Sequence, residues 1–288
     1  MAVSLTADDS PPPPDLRLVR LDHLVEHEFN DVHRTAPLAE RLRAEGLLKN
    51  PPIVAELDDD SDRYVVLDGA NRTLALTHLG YAHALVQVVR YEPPAVTLTT
   101  WHHLITGIDP AAFIAALGGV PGVDLLKIDR LHARAGLARR ELLLYVVGVD
   151  EQVYAARPHM PGLSVHEQNR LLNALVDTYR TGGQLHRLLT DNLKEAVRLY
   201  PDASGLVIFP NYDAAEVVAL ARDGELLPAG LTRHLIQGRA LRANYPLSEL
   251  ASGDSLDVKN GRLQAWLSRK LSSKEVRFYG ETTYSFDE

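Results

Sequence analysis

The chain has 288 residues, 45% of them hydrophobic and 24% charged, which is enough for one large domain or two smaller ones. The formal net charge of −8 argues against a protein that binds nucleic acid mainly through charge, although it leaves room for a local basic patch. The absence of cysteine excludes disulfides, thiolate catalysis and cysteine-ligated metals. No apolar run is as long as a membrane span and no signal-peptide core is present, so we expect a cytoplasmic protein.

The first third of the chain is typical of a small α/β unit that follows a flexible leader. Four consecutive prolines end the leader, which we assign to residues 1–14. Alternating and continuous apolar runs then predict four strands, and two amphipathic stretches predict helices. The predicted strands are 15–20, 50–55, 64–67 and 83–91, and the predicted helices are 37–46 and the stretch from the turn after residue 67 to residue 80.

A short polar turn between the third strand and the second helix has the features of an anion site. Asp68 ends the apolar run, Gly69 follows it, and Arg72 lies in the first turn of the predicted helix. Free N–H groups at a helix N-terminus beside an arginine bind anions well. Asp68 could hold a metal ion or receive a proton. An ordinary strand-to-helix turn, with Gly69 required by the backbone, would have the same pattern, so both interpretations remain open.

The segment 97–104 contains Trp101 beside His102 and His103. Adjacent histidines point in different directions on a helix or a strand, so this pair is a poor candidate for two ligands of one metal ion. A tryptophan that anchors a helix to the core is the alternative interpretation of this segment.

The remainder of the chain predicts a second mixed α/β domain. A glycine-rich break at 118–122 suggests the boundary, which gives domains of 15–117 and 118–288. The basic stretch 127–140 has no aromatic residue for base stacking and is interpreted as a solvated helix face. Ser164 and Glu167 form a capping-box pattern at the start of a long helix. Further predicted strands are 142–147, 152–156, 206–209 and one near 277–284, and further predicted helices are 109–117, 214–221 and 263–271.

The order of these elements, with the turn Asp68-Gly69-Ala70-Asn71-Arg72, resembles the ParB/sulfiredoxin fold. Within that superfamily the chain is similar to the free-serine kinases, which include an archaeal ADP-dependent enzyme and the SbnI type of siderophore biosynthesis. The resemblance covers roughly residues 15–285 and implies an α+β fold with a ParB/sulfiredoxin-like N-terminal unit. It extends to His27-Glu28, Thr100-Trp101-His102-His103, the loop Leu227 to Arg233 and Gly238-Arg239.

The resemblance implies that the terminal phosphoryl group of a nucleotide is transferred to the hydroxyl of free L-serine, which gives O-phospho-L-serine. The general base falls on Glu28, and an acid that positions Mg²⁺ or phosphate falls on Asp68. Trp101 and His103 match positions that border the amino-acid substrate. The nucleotide phosphates would be held by Gly69, Ala70, Asn71, Arg72 and Thr73, with Arg72 as the charge clamp.

Several alternatives remain open at this level. The family uses both ATP and ADP, and the extended match to the bacterial type favours ATP. Another hydroxy amino acid such as threonine could replace serine, and the turn has Asn71 where the family has histidine. A ParB-like DNA-binding regulator, or a sensor of nucleotide or haem without turnover, is the alternative function. The sequence predicts no membrane partner and leaves the oligomeric state undetermined.

Overall fold

A computed structural model of the chain describes residues 12–30, 35–57 and 62–278. These residues fall into two compact units. Unit 1 is drawn from Met1–Val25, Asp31–Thr97 and Ile236–Glu288, and unit 2 consists of Glu26–Asn30 and Leu98–Leu235. The predicted leader lies almost entirely outside the described residues. The sequence places a domain boundary after residue 117, whereas the compact units divide after residues 97 and 235. The phosphate-binding role of the first predicted domain and the substrate-site role of the second stay predictions.

Unit 1 contains the predicted N-terminal α/β pattern together with the C-terminal end of the chain. The strands and helices predicted up to residue 91 are present, and two further strands of two residues each join them. Its elements are β1 (Asp15–Arg20), β2 (Leu24–Val25), α1 (Thr35–Glu45), β3 (Leu47–Leu48), β4 (Ile53–Glu56), β5 (Tyr64–Asp68), α2 (Ala70–His78), β6 (His83–Val88), β15 (Tyr245–Pro246), α8 (Leu247–Ala251) and α9 (Leu256–Ser272).

The unit 1 sheet is mixed, with the strand order β1-β6-β4-β5-β2. The β1–β6 and β4–β5 pairs are antiparallel, and the β4–β6 and β2–β5 pairs are parallel. The first four residues of β5 are buried, as expected for a continuous apolar strand inside a sheet. At its carboxyl end, β5 leads directly into α2. The sheet therefore presents Asp68 at the point where a strand ends and a helix begins.

Helix α9 covers the outer strand of this sheet. Asn260 of α9 accepts a hydrogen bond from the Leu18 amide at 2.9 Å and donates one to the Leu18 carbonyl at 2.9 Å. These two bonds satisfy backbone groups that an edge strand otherwise leaves open. Leu263, Trp266 and Leu267 add to the same hydrophobic core. The helix begins seven residues before the predicted start because Ser255 caps it through its side chain.

Unit 2 is built around a larger sheet with helices packed against it. The predicted capping box is confirmed: Ser164 and Glu167 bond reciprocally at the start of a 16-residue helix. Its elements are β8 (His102–Thr106), α3 (Pro110–Gly118), β9 (Val123–Ile128), α4 (Arg130–Ala138), β10 (Leu144–Gly148), β11 (Val153–Pro158), α5 (Val165–Arg180), β12 (Gln184–Leu188), α6 (Leu193–Leu199), β13 (Ala203–Ile208) and α7 (Ala214–Arg222).

The six strands of unit 2 follow the order β12-β8-β13-β10-β11-β9, and every neighbouring pair is antiparallel. The inner strands β10 and β13 are buried along their whole length. Leu104, Tyr145 and Leu206 contribute to a core on one face of the sheet. Tyr179 of α5 is buried and packs edge-to-face on Phe113 of α3, with ring centroids 5.6 Å apart.

Two strands carry the chain from one unit to the other: β7 (Val96–Thr100) and β14 (Thr232–Ile236), which pair with each other. The segment around Trp101 is therefore strand rather than a helix anchored by tryptophan. Of the predicted final strand, residues 277 and 278 have no strand structure, and the rest lies outside the described residues. Among the helices that the structure describes, none is long and apolar enough to cross a bilayer.

Candidate active-site residues

The turn after β5 in unit 1 is a helix N-terminus with open amides. Gly69 has φ +93°, in the left-handed region that favours glycine, and α2 begins at Ala70. The amides of Arg72 and Thr73 both donate to the Gly69 carbonyl, at 2.8 and 3.0 Å. The earlier amides of a helix have no intrahelical acceptor and carry the positive end of the helix dipole. The strand, turn and helix that the sequence predicted are therefore present, with amides free to bind an anion, and the anion site itself stays a prediction.

Two arginines, Arg72 of the turn and the distant Arg239, donate to the same carboxylate oxygen of Asp68. Oδ2 of Asp68 accepts from Arg239 at 2.5 Å and from Arg72 at 3.3 Å. Burial raises the pKa of Asp68, but the charges of Arg72 and Arg239 outweigh it and hold the pKa below its ordinary value. The carboxylate thus stays ionised at neutral pH and aligns both guanidinium groups. Nε of Arg72 is buried and has no hydrogen-bond partner among the described residues.

The remaining turn residues face different surroundings. The Thr73 hydroxyl donates to the Gly69 carbonyl at 3.3 Å and is buried, so this side chain stabilises the turn itself. The Asn71 side chain is half-buried and lies 3.5 Å from the Thr35 hydroxyl. Ala70 contributes a backbone amide and no polar side chain. In this arrangement Arg72 is the charged group of the turn that can meet an anion.

Gln87 positions Arg239, a role that no sequence pattern indicates. Gln87 is buried in β6, and its side chain donates to the Gly238 carbonyl at 3.0 Å and accepts from the Ala240 amide at 2.8 Å. These two bonds hold the backbone on both sides of Arg239. Because about 150 residues separate Gln87 from this loop along the chain, no local pattern indicates the contact. A buried polar residue in an apolar strand was the one available signal.

Glu28, in unit 2, is held by a loop that lies far away in the sequence. Oε2 accepts from the Gly230 amide at 2.9 Å, and Oε1 accepts from the Thr232 hydroxyl at 2.5 Å and also from the Thr232 amide. The Glu28 side chain retains 16% of its exposure. The carboxylate is therefore fixed in orientation by three donors and still reachable from solvent.

A histidine completes this network. Nε2 of His27 lies 2.8 Å from the Thr232 hydroxyl oxygen and 4.0 Å from Oε1 of Glu28. Because Thr232 donates its single hydroxyl hydrogen to Glu28, Nε2 of His27 must carry the hydrogen that Thr232 accepts. His27 therefore acts on Glu28 through Thr232. The sequence motif His27-Glu28 gave no sign of Thr232, which joins the two side chains.

His103 lies beside the same loop. It is fully buried, with Nδ1 3.1 Å from the Tyr179 hydroxyl and Nε2 3.2 Å from the Gly230 carbonyl. Trp101 is half-buried and lies under the guanidinium of Arg233, 5.0 Å from ring centroid to Cζ. The structure thus brings Glu28 to the amide and His103 to the carbonyl of one residue, Gly230. Trp101 lies against a different residue, Arg233.

Burial strongly disfavours a charge on His103. It lowers the pKa of His103 to about 3, against the ordinary value of 6.5. Between about pH 6.5 and about pH 3 the unfolded chain binds a proton at this histidine, whereas the folded chain does not. The free energy of unfolding therefore falls as the pH falls through this range. The contribution is about 1.4 kcal/mol per pH unit.

We therefore expect the free energy of unfolding to fall more steeply between pH 7 and pH 5 in the wild type than in His103→Gln. Glutamine retains hydrogen-bonding groups but does not titrate. Urea unfolding at several pH values measures both slopes. Equal slopes for the two proteins would contradict the neutral, buried state of His103.

The chemistry of the described residues limits the metal sites that they can form. No group of three or more histidine, aspartate or glutamate side chains comes together in the part of the chain that the structure describes. A transition-metal site of several protein ligands is thus not formed by these residues. Mg²⁺ differs, because it keeps waters and binds nucleotide phosphates through one or two protein carboxylates. Asp68, ionised at the open helix end, fits that requirement.

Comparison with known proteins finds relatives that are named serine kinases. No family model matches the chain. The ATP-dependent L-serine kinase of Staphylothermus marinus is 23% identical over 81% of this chain and 90% of its own length. The ATP-dependent L-serine kinase SbnI of Staphylococcus aureus is 24% identical over 93% of this chain and 96% of its own length.

Solved structures give the same result. The chain has the fold of the free serine kinases: a free serine kinase in complex with AMP superposes with a TM-score of 0.67 at 21% identity, over 83% of this chain and 95% of that one. C-terminally truncated SbnI from Staphylococcus aureus superposes with a TM-score of 0.67 at 22% identity, over 91% and 97%. The resemblance to the free-serine kinases is thereby confirmed along most of the chain.

Proposed function

We infer that this protein is an ATP-dependent kinase that phosphorylates the hydroxyl of free L-serine and produces O-phospho-L-serine. The observation that carries this inference is the similarity to two relatives of that name, which spans at least nine-tenths of their own lengths. ATP is the donor because both relatives are named ATP-dependent. The geometry of the two units supports the assignment of roles to individual residues.

Glu28 is the proposed general base. A carboxylate offers about four lone-pair directions, two on each oxygen. Oε1 uses both of its directions on Thr232, and Oε2 uses one on Gly230. The remaining direction on Oε2 accepts the hydrogen of the serine hydroxyl. As the serine oxygen bonds to the γ-phosphorus and the bond to the leaving ADP oxygen breaks, the hydroxyl proton passes to Oε2.

The turn Asp68 to Thr73 is the proposed phosphate site. The open amides at the start of α2 and the guanidinium groups of Arg72 and Arg239 supply fixed positive charge for the phosphates. Both arginine bonds fall on Oδ2 of Asp68, and this ionised carboxylate is the group that would hold Mg²⁺. When bound, Mg²⁺ neutralises negative charge on the phosphate oxygens. Trp101 and His103 are the proposed neighbours of the amino acid.

The fold of unit 1 is also part of what we propose. We assign unit 1 to the ParB/sulfiredoxin-like class because its mixed sheet ends in a strand–turn–helix with the D-G-x-x-R pattern. The cytoplasmic location that the sequence suggests stays a prediction, as does the link to siderophore production.

A DNA-binding regulator is not favoured, because its candidate basic stretch has little free charge. Arg130 and Arg134 both form ion pairs with Asp191. Arg139 and Arg140 pair with glutamates in the same way, and Lys127 lies over the Tyr154 ring. These carboxylates offset most of the positive charge of the stretch, which leaves few cations to release counterions from DNA. The helix α4 is thus a paired surface rather than a basic stripe.

One assay tests the proposed function. Phosphorus NMR follows the purified chain with Mg²⁺, ATP or ADP, and serine, threonine or homoserine in separate reactions. We expect O-phosphoserine to form with ATP and serine faster than with any other combination. No phosphorylated amino acid with either donor, together with salt-sensitive binding to a duplex DNA, would overturn the kinase assignment in favour of the regulator.

A further inference from the structure

We propose that Arg187 binds the α-carboxylate of the amino-acid substrate and thereby selects a free amino acid over hydroxyl compounds that lack this group. The proposal rests on the proposed kinase function and adds a residue that the sequence analysis did not identify. Arg187 lies in β12, the outer strand of the unit 2 sheet, and its side chain is exposed.

The strand register places Arg187 beside the residues already described. In the antiparallel pair β8–β12, Arg187 lies directly opposite His103. Residues directly opposite each other in such a pair project from the same face of the sheet. His103 contacts the Gly230 carbonyl from this face. Arg187 therefore shares a face with the proposed substrate neighbour.

The guanidinium of Arg187 packs onto Gly230 itself. A Cβ atom at Gly230 would lie 2.3 Å from Nε and 2.8 Å from Cζ of Arg187, so a side chain at this position would displace the Arg187 guanidinium from where it lies. Gly230 also has φ +72°, which favours glycine independently. One residue thus donates its amide to Glu28, accepts from His103 and leaves space for the Arg187 guanidinium.

These contacts limit the distance between the cation and the proposed base. The 2.3 Å to the hypothetical Cβ position and the 2.9 Å bond from the Gly230 amide to Oε2 of Glu28 are joined by the N–Cα bond of Gly230 and the hypothetical Cα–Cβ bond. Each bond is about 1.5 Å long, so Nε of Arg187 lies no more than about 8 Å from Oε2 of Glu28. Serine with one hydrogen bond at its hydroxyl and one at its carboxylate spans about 8 to 9 Å when the two bonds are in line, and less when they are bent. The two groups are therefore close enough for one serine molecule to contact both.

Arg187 is also available for a ligand. Most arginines of unit 2 are in ion pairs, for example Arg130, Arg140 and Arg170. No carboxylate among the described residues lies within 4.0 Å of the Arg187 guanidinium. Burial is the main cause of the low pKa of His103, the hydrogen bond to the Gly230 carbonyl opposes it, and the charge of Arg187 lowers the pKa further, so the positive field of Arg187 reaches His103. A planar guanidinium binds a carboxylate through two parallel hydrogen bonds.

The test measures phosphorylation of two acceptors, serine and ethanolamine, by three proteins: the wild type, Arg187→Ala and Arg187→Lys. Ethanolamine is serine without its carboxylate, so its use does not depend on a carboxylate-binding residue. In Arg187→Ala we expect the KM for serine to rise about 10- to 100-fold. The preference for serine over ethanolamine, measured as a ratio of kcat/KM, should fall by a similar factor. Arg187→Lys keeps the charge without the fork and should give an intermediate value.

Arg198→Ala is the matched control, because it removes an exposed arginine of α6 from the same unit and should leave both acceptors at wild-type values. A lower kcat in Arg187→Ala with an unchanged KM and an unchanged serine preference would overturn the proposal, since it would indicate contact with the phosphoryl group. If the wild type itself does not phosphorylate serine, the proposed function fails first. If the wild type is active and Arg187→Ala equals it, this inference alone fails.

Discussion

Glu28→Gln is expected to lower kcat for serine phosphorylation by about 10²- to 10⁴-fold while nucleotide affinity stays within a few-fold of wild type. Glutamine has the same length but cannot take up the hydroxyl proton. The glutamine NH₂ group would also point at a hydrogen-bond donor, because the amides of Gly230 and Thr232 both donate to the Glu28 carboxylate. Glu28→Ala removes the carboxylate altogether and should be at least as slow. Coupled-assay kinetics and calorimetric titration with ADP measure the two quantities.

Glu26→Gln is the matched control for this experiment. It makes the same charge change two residues away, at a half-buried carboxylate that the proposed mechanism does not use. We expect near wild-type turnover in this variant. Thermal unfolding of all three variants separates a loss of the base from a loss of the loop that binds it. Turnover within a few-fold of wild type in both Glu28 variants would remove Glu28 from the role of base.

Arg72→Ala is expected to weaken binding of ADP with Mg²⁺ by about 10- to 100-fold, because hydrogen bonds to charged groups contribute about 1.5 to 3 kcal/mol. Arg72 lies at the open N-terminus of α2 and has a buried Nε without a hydrogen-bond partner among the described residues. Arg239 stays on Asp68 in the variant, so part of the positive charge remains. Isothermal titration calorimetry measures the affinity directly.

Arg269→Ala controls for the charge change, since Arg269 is an exposed arginine of α9 in the same unit. Arg72→Lys keeps one charge without the guanidinium fork and should bind nucleotide with intermediate affinity. Unchanged nucleotide affinity in Arg72→Ala would contradict its role as the phosphate clamp. Comparison with Glu28→Gln then assigns nucleotide affinity to unit 1 and turnover to the carboxylate of unit 2.

Local elements were predictable because their signals are local. The run 64–67 followed by Gly69 correctly indicated a strand, a turn and a helix. The capping box at Ser164 located the longest helix of unit 2, since both bonds join residues three positions apart. The segment around Trp101 was harder, because a few residues with mixed polarity satisfy helix and strand patterns equally well. Its strands form through pairing with distant partners.

The sequence by itself determined the strand, turn and helix around Gly69 and, through the family resemblance, predicted roles for Glu28, Trp101 and His103. Only the tertiary structure decided what these residues touch. The donors that orient Glu28 lie 202 and 204 residues away, and Arg239 lies 171 residues from Asp68. Arg187 is placed by its strand register and by the missing side chain of Gly230. Periodicity and capping follow from contacts three or four residues apart, whereas such pairs form only when the folded chain brings distant segments together.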